Sequence, residues 1–384
     1  MFSFERTHAE LRAAAQESTS ENDLDAVPEY YRQFVMHPYL GYAFDPSHVH
    51  WQVDLLGFTG AMEAAPEHSV EVVITGGSLA WNFSRQAQDT LRRHLERVPA
   101  FVDRPVRFVS LATVGFKQPQ QLFSLIYYLL VTRRRPDVVI NIDGFNEVTH
   151  VPQGRAAPIY PGYWNQLALD VRSPSTNRAL LELTLARTAR QTVASWSLPL
   201  RYCVSCMVTW QALDGAIAAR IEAKLRRFAR AQSLEKTSYL RHGPSFDRSD
   251  AERWRALADY WRDSSLLMHH LSRRLGFHYL HVLQPNQHLL GTKPLSDEER
   301  SIVPEGGTLG SDVRTGYALL LERARDLAAQ RVSFLDATRV YEHTTESLYV
   351  DECCHVNELG SRILAEAIGE KLRQGLAVPS SSGS

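Results

Sequence analysis

The sequence predicts an α/β domain built on five parallel strands, and three observations predict it. First, short apolar runs rich in β-branched residues recur: "VEVVIT" (70–75), "VRFVSLA" (106–112), "PDVVINI" (136–142), "FHYLHVL" (277–283) and "VSFLDAT" (332–338). Second, segments of helical period lie between most of them. Third, the first run is β-branched and ends in glycines, which suits a strand buried on both faces.

Taken in order, residues 1–66 read as an N-terminal extension, with "HPYLGYAFDP" (37–46) an ordered loop rich in proline, glycine and aromatic residues. The first strand ends at Gly76-Gly77, and "DTLRRHLERV" (89–98) has helical spacing. The second strand ends at "TVGFKQPQQ". "PQQLFSLIYYLLVTRRR" (119–135) predicts a helix, with proline near its start and arginines at its end, where the helix dipole favours them. Its apolar run, 122–131, is too short to span a bilayer and reads as a buried helix. The third strand ends in "DGFNE". The alternation then breaks. A Pro/Gly-rich stretch leads into helical segments near 176–196, 210–231 and 250–275, read together as a helical insertion at about 150–275. The strand at 277–283, a helix at 311–331, the strand at 332–338 and a helix at 357–376 complete a domain spanning 67–376. The tail, 377–384, reads as disordered.

Composition narrows the class. With 384 residues, 44% hydrophobic and 22% charged, the chain is long enough for a substantial core, and a net charge of −1 gives no support for a nucleic-acid partner. The first residues lack a basic start followed by an apolar stretch, so the expected location is cytoplasmic, with no membrane span. Four cysteines form two pairs, Cys203 with Cys206 and Cys353 with Cys354. Adjacent cysteines rarely both reach one tetrahedral metal, and "RYCVSCMVTW" lacks the turn residues of a zinc knuckle. Buried reduced thiols are expected, and no metal.

In open α/β sheets, ligands bind beyond the carboxyl ends of the strands. Those exits carry Ser78, then Gly115, then Asn146 flanked by Asp143 and Glu147, then Gln284, Asn286 and Gln287, and finally His355 within "YVDECCHVNELG". Singly, each has an ordinary explanation as a turn or helix-capping residue. As a set they suit acyl transfer, which needs a serine, a base, an orienting carboxylate and fixed donors for an oxyanion.

The four blocks "GGSLAW", "VGFKQPQQ", "DGFNE" and "DECCHVNELG" resemble, in order, those of the SGNH hydrolases, also called GDSL esterases and lipases. The resemblance covers roughly 70–375 and implies a flavodoxin-like three-layer sandwich. It implies Ser78 as nucleophile, His355 as base, and Gly115 and Asn146 as oxyanion donors, with no cofactor. The implied activity is hydrolysis of a small acyl ester, with O-acetyl groups on a glycan or glycosylated small molecule the favoured substrate. The same machinery would also serve an O-acyltransferase, and the same fold a non-catalytic glycan-binding protein. Two departures stand out. The first block has GGS where the family name has GDS. The last has Asp351 four residues before His355, where the family usually has Asp three before. Asp351 is the preferred histidine partner and Glu352 the alternative. Glu147, Gln284 and Asn286 are candidate substrate contacts, with loop support an equal reading for Glu147. Trp81 and Phe83 either wall the pocket or pack under the first helix, packing being preferred.

Overall fold

The computed structural model describes residues 33–47, 49, 53–149, 174–195, 204–234, 248–303 and 308–377. Their α-helices are α1 (Ser78–Gln86), α2 (Gln88–Leu95), α3 (Gln120–Thr132), α4 (Phe145–Thr149), α5 (Pro174–Ser195), α6 (Val204–Leu234), α7 (Asp250–Leu275), α8 (Asp297–Ile302), α9 (Thr308–Ala329) and α10 (Glu358–Ala377). The chain divides into two compact units, one of residues 1–32 and 168–243, the other of residues 33–167 and 244–384.

The larger unit holds the expected sheet. Strands β1 (Phe34–His37) and β2 (Gly41–Phe44) form an antiparallel hairpin apart from it. Strands β3 (Val70–Gly76), β4 (Val106–Ser110), β5 (Val138–Asp143), β6 (His278–Leu283) and β7 (Ser333–Asp336) are all parallel, in the order β4-β3-β5-β6-β7. Helices α1, α2 and α10 cover one face, and α3, α7 and α9 the other. The chain leaves β3 for β4 at the edge and returns across β3 to β5. The strand order therefore reverses between β3 and β5, and their carboxyl ends open a crevice there. Both strands are buried along their whole length, which explains their mainly apolar character; their polar residues, Glu71, Thr75, Asn141 and Asp143, are buried too.

The smaller unit shows α5 and α6. Arg190 binds Asp214 through two hydrogen bonds of 2.9 and 3.0 Å, and Lys224 lies 3.1 Å from Glu182. Leu183 and Trp210 are its buried apolar side chains among the described residues.

Three features differ from the sequence reading. The loop expected at 37–46 contains the hairpin's turn and β2, because Phe34, Tyr42 and Phe44 bury their rings in the main core. Helix α7, assigned to the insertion, packs on β6 and α9 as a sheet-flanking helix. It is sharply bounded, opening on a Ser249–Glu252 capping box and ending at Gly276 with φ +82°. Helix α3, expected to be buried, hides Leu122, Leu125 and Tyr128 but exposes Phe123, Leu130 and Val131. The Pro/Gly-rich stretch after β5 and the tail from 378 lie outside the described residues.

Candidate active site

The two glycines that end β3 are required by close approach. Gly76 has φ +150°, and a Cβ there would lie 2.1 Å from the Ile142 carbonyl oxygen of β5. A Cβ on Gly77 would lie 2.2 Å from Asn146 Nδ2. With both side chains absent, β3 passes directly into α1. Ser78 is the first helical residue, half-buried, with Gly77 as its N-cap. Backbone N–H groups in this first turn have no partner within the helix, and the helix dipole puts partial positive charge there.

His355 reaches Ser78 from the loop between β7 and α10. Its Nε2 lies 2.7 Å from Ser78 Oγ, and its Nδ1 hydrogen bonds to Asp351 Oδ2. The four-residue spacing is absorbed by a turn wound around the carboxylate. Asp351 Oδ1 accepts the backbone N–H groups of Cys353, Cys354 and His355 at 3.0, 3.2 and 3.3 Å. Glu352 is exposed. Burial alone would raise the Asp351 carboxyl, but the His355 hydrogen bond and charge, with the backbone donors, hold it below its ordinary value. His355 and Asp351 keep side-chain exposures of 24% and 37%, so the array is open to solvent.

Gly115, on the loop after β4, and Asn146, in α4 just after β5, flank this point. Gly115 has φ +77° and is buried. Among the described residues its N–H meets no backbone acceptor. One N–H of the Asn146 amide goes to the Phe116 carbonyl at 2.9 Å, and an amide nitrogen has a second to offer. Glu147, also in α4, ties the segment after β5 to the loop after β4 and the start of α3. Its oxygens accept from the Gln118 N–H (3.0 Å), Gln121 Nε2 (3.1 Å) and the Gly144 N–H (2.8 Å). It is only 2% exposed, and burial, reinforced by the Asp143 charge, pushes its carboxyl up to about 8. These contacts are those of the loop-support reading.

Gln284 and Asn286, also expected at the substrate, are buried beneath the His355 loop. The Asn286 amide donates to the Cys353 carbonyl at 3.0 Å, and the neighbouring Gln287 donates to that of Asp351 at 2.9 Å. Gln284 presents its backbone to Asp143 and Tyr317. His288, which the sequence reading passed over, lies 2.7 Å from the Glu352 carbonyl through Nε2. The only sequence signal for these roles was the density of amide side chains in "QPNQ". Phe83 is buried in the core, and Trp81 packs between the Phe44 ring and the Arg85 guanidinium.

Cys353 and Cys354 are free thiols. Burial, with the Asp351 and Glu352 charges, pushes Cys353 up to about 11, and burial pushes Cys354 well above its ordinary value. Neither is a ready thiolate. Cys203 lies outside the described residues, as does the side chain of Cys206. Among the described residues no cluster of three or more potential metal ligands occurs, and no helix is long and apolar enough to cross a membrane.

No family model and no curated protein matches the chain. Solved structures do. A GDSL-like lipase from Bacteroides thetaiotaomicron is similar with 10% identity and a TM-score of 0.38, over 82% of this chain and 93% of the other. An acetylxylan esterase from Geobacillus stearothermophilus is similar with 10% identity and a TM-score of 0.36, over 81% of this chain and 96% of the other.

Proposed function

We propose that this chain is a serine ester hydrolase working through an acyl-enzyme on Ser78. One observation carries the reading: the continuous Ser78–His355–Asp351 hydrogen-bonded chain stands at the helix start and strand-order reversal where an α/β sheet presents its ligands. In this scheme His355 Nε2 takes the Ser78 proton as Oγ attacks the ester carbonyl. Asp351 holds the imidazole with Nε2 facing the serine and stabilises the imidazolium that forms. The N–H groups of Ser78 and Gly115, with the Asn146 amide, receive the oxyanion. The C–O bond to the leaving alcohol then breaks as His355 returns the proton to that oxygen. Water deprotonated by His355 attacks the acyl carbonyl and frees the acid and Ser78. The favoured substrate is a small acyl ester such as an O-acetyl group on a glycan, as the motif resemblance implies.

Intact-mass labelling with a fluorophosphonate tests the scheme. The expected result is one adduct on the wild type and none on Ser78→Ala, followed by acetate release from acetylated sugars. A well-folded wild type that takes no adduct overturns it.

A further inference from the structure

We infer that Asn286, Gln287 and His288, on the loop after β6, are positioning residues that hold the Asp351–His355 turn in register with Ser78. The kinetic side of this inference rests on the esterase reading; the geometric side does not.

Among the described residues, the turn at 351–354 makes no backbone–backbone hydrogen bond. Regular pairing stops on either side of it, at the Val350 N–H to His355 carbonyl bond of 3.0 Å and the bridge between Tyr349 and Val356. A chain segment with its own N–H and C=O groups unpaired would ordinarily be free to rearrange. Here side chains take over for two of the turn's four N–H groups and three of its four carbonyls. On the inside, Asp351 Oδ1 collects three N–H groups. On the outside, three successive carbonyls each meet one donor: Asp351 meets Gln287 Nε2, Glu352 meets His288 Nε2, and Cys353 meets Asn286 Nδ2, at 2.9, 2.7 and 3.0 Å. The donors are themselves fixed. All three are buried, and Asn286 Oδ1 accepts the His288 N–H at 2.9 Å. Upstream, the buried Glu299, paired with Lys293 at 2.6 Å, accepts the Leu348 and Tyr349 N–H groups at 2.8 and 3.0 Å. The turn is thus shaped from both sides by side chains, which is how the extra residue between Asp351 and His355 is accommodated while Nε2 stays within reach of Ser78.

Positioning of this kind governs rate, because a displacement of about 1 Å at a reacting group costs on the order of 100-fold. The test uses Gln287→Leu, His288→Leu and His288→Gln; glutamine can again offer a donor near the histidine Nε2 position. Fluorophosphonate labelling kinetics are read beside the downfield proton resonance of His355 Nδ1–H, assigned with Asp351→Asn, and beside thermal melting. For folded Gln287→Leu and His288→Leu, the expected result is a labelling rate lowered on the order of 10–100-fold with little change in the saturation constant, and a broadened or lost His355 resonance. His288→Gln should recover most of both. In an Asp351→Asn background, Gln287→Leu should have no more than about a twofold further effect, because both act through one group. Leucine variants that keep the resonance and the labelling rate overturn the inference. A wild type that shows the resonance but takes no label, with the resonance lost in Gln287→Leu, overturns the esterase reading and leaves the positioning role standing. Should Gln287→Leu fail to fold, the two His288 variants decide the matter.

Discussion

Ser78–His355–Asp351 and Ser265–His281–Asp143 are built from the same three residue types at nearly the same distances. In the first, Ser78 Oγ lies 2.7 Å from one ring nitrogen of His355, whose other nitrogen meets Asp351. In the second, Ser265 Oγ lies 2.7 Å from His281 Nδ1, and His281 Nε2 lies 2.8 Å from Asp143 Oδ1. The surroundings separate them. The second array is sealed within the sheet unit: His281 and Asp143 have 0% side-chain exposure, and Ser265 is fully buried. Ser265 stands in mid-helix in α7, where backbone N–H groups are bonded within the helix, and its hydroxyl is also 3.2 Å from Tyr279 Oη. Asp143 further accepts from Trp261 Nε1 at 2.7 Å and Asn141 Nδ2 at 2.7 Å, so it works as a buried hub between β5, β6 and α7. On the proposed reading, a hydrogen-bonded Ser–His–Asp chain is therefore not enough for chemistry. What sets the first apart is access, a helix start at the serine and nearby donors for developing charge.

Substitutions at the two aspartates separate these roles most widely. Asp351→Asn should lower kcat by about 10⁴-fold through loss of imidazole orientation, with the fold retained. Asp143→Asn should instead cost on the order of 3 kcal/mol of stability, read by denaturant unfolding, because buried donors lose a charged acceptor. A large kcat loss without destabilisation at Asp143 would break the comparison. A smaller effect is expected at Gly77→Ala, whose Cβ would displace the Asn146 amide. On the proposed scheme that amide is an oxyanion donor, and loss of one such donor corresponds to a fall of about 100-fold in kcat. The smallest effect concerns pH. Both carboxyls are held below their ordinary values against the opposing effect of burial, Asp351 through His355 and backbone donors, Asp143 through the His281 charge and hydrogen bonds. Such groups contribute stability above the unfolded aspartate value of about 3.9, and that stability is lost as pH falls through the depressed folded value. Acid unfolding should therefore become less steep in either asparagine variant, as followed by circular dichroism from neutral pH downward.

The residues around Ser78 were legible because each sits where a local pattern changes. Gly76-Gly77 ends an apolar run, Gly115 and Asn146 follow two more, and His355 precedes a helical stretch. Which acidic residue faces His355 was not fully legible, since Asp351 and Glu352 differ by one position and the turn decides between them. The amides of "QPNQ" looked like ligand contacts because buried and exposed amides read alike in a sequence. The Ser265–His281–Asp143 hub left no signal, because its members are 138 residues apart at the widest and belong to different elements.

By itself, then, the sequence determined the parallel α/β class and the strand exits carrying Ser78, Gly115, Asn146 and His355. Those features arise from interactions within a few residues: side-chain periodicity, β-branching and the freedom of glycine. Only the tertiary structure decided that α7 flanks the sheet, that Asp351 partners His355, and that Asn286, Gln287 and His288 support the turn from below. Those outcomes depend on which buried polar groups find partners across the fold, and an unpaired buried hydrogen-bonding group costs enough that such partners are chosen by the packed whole.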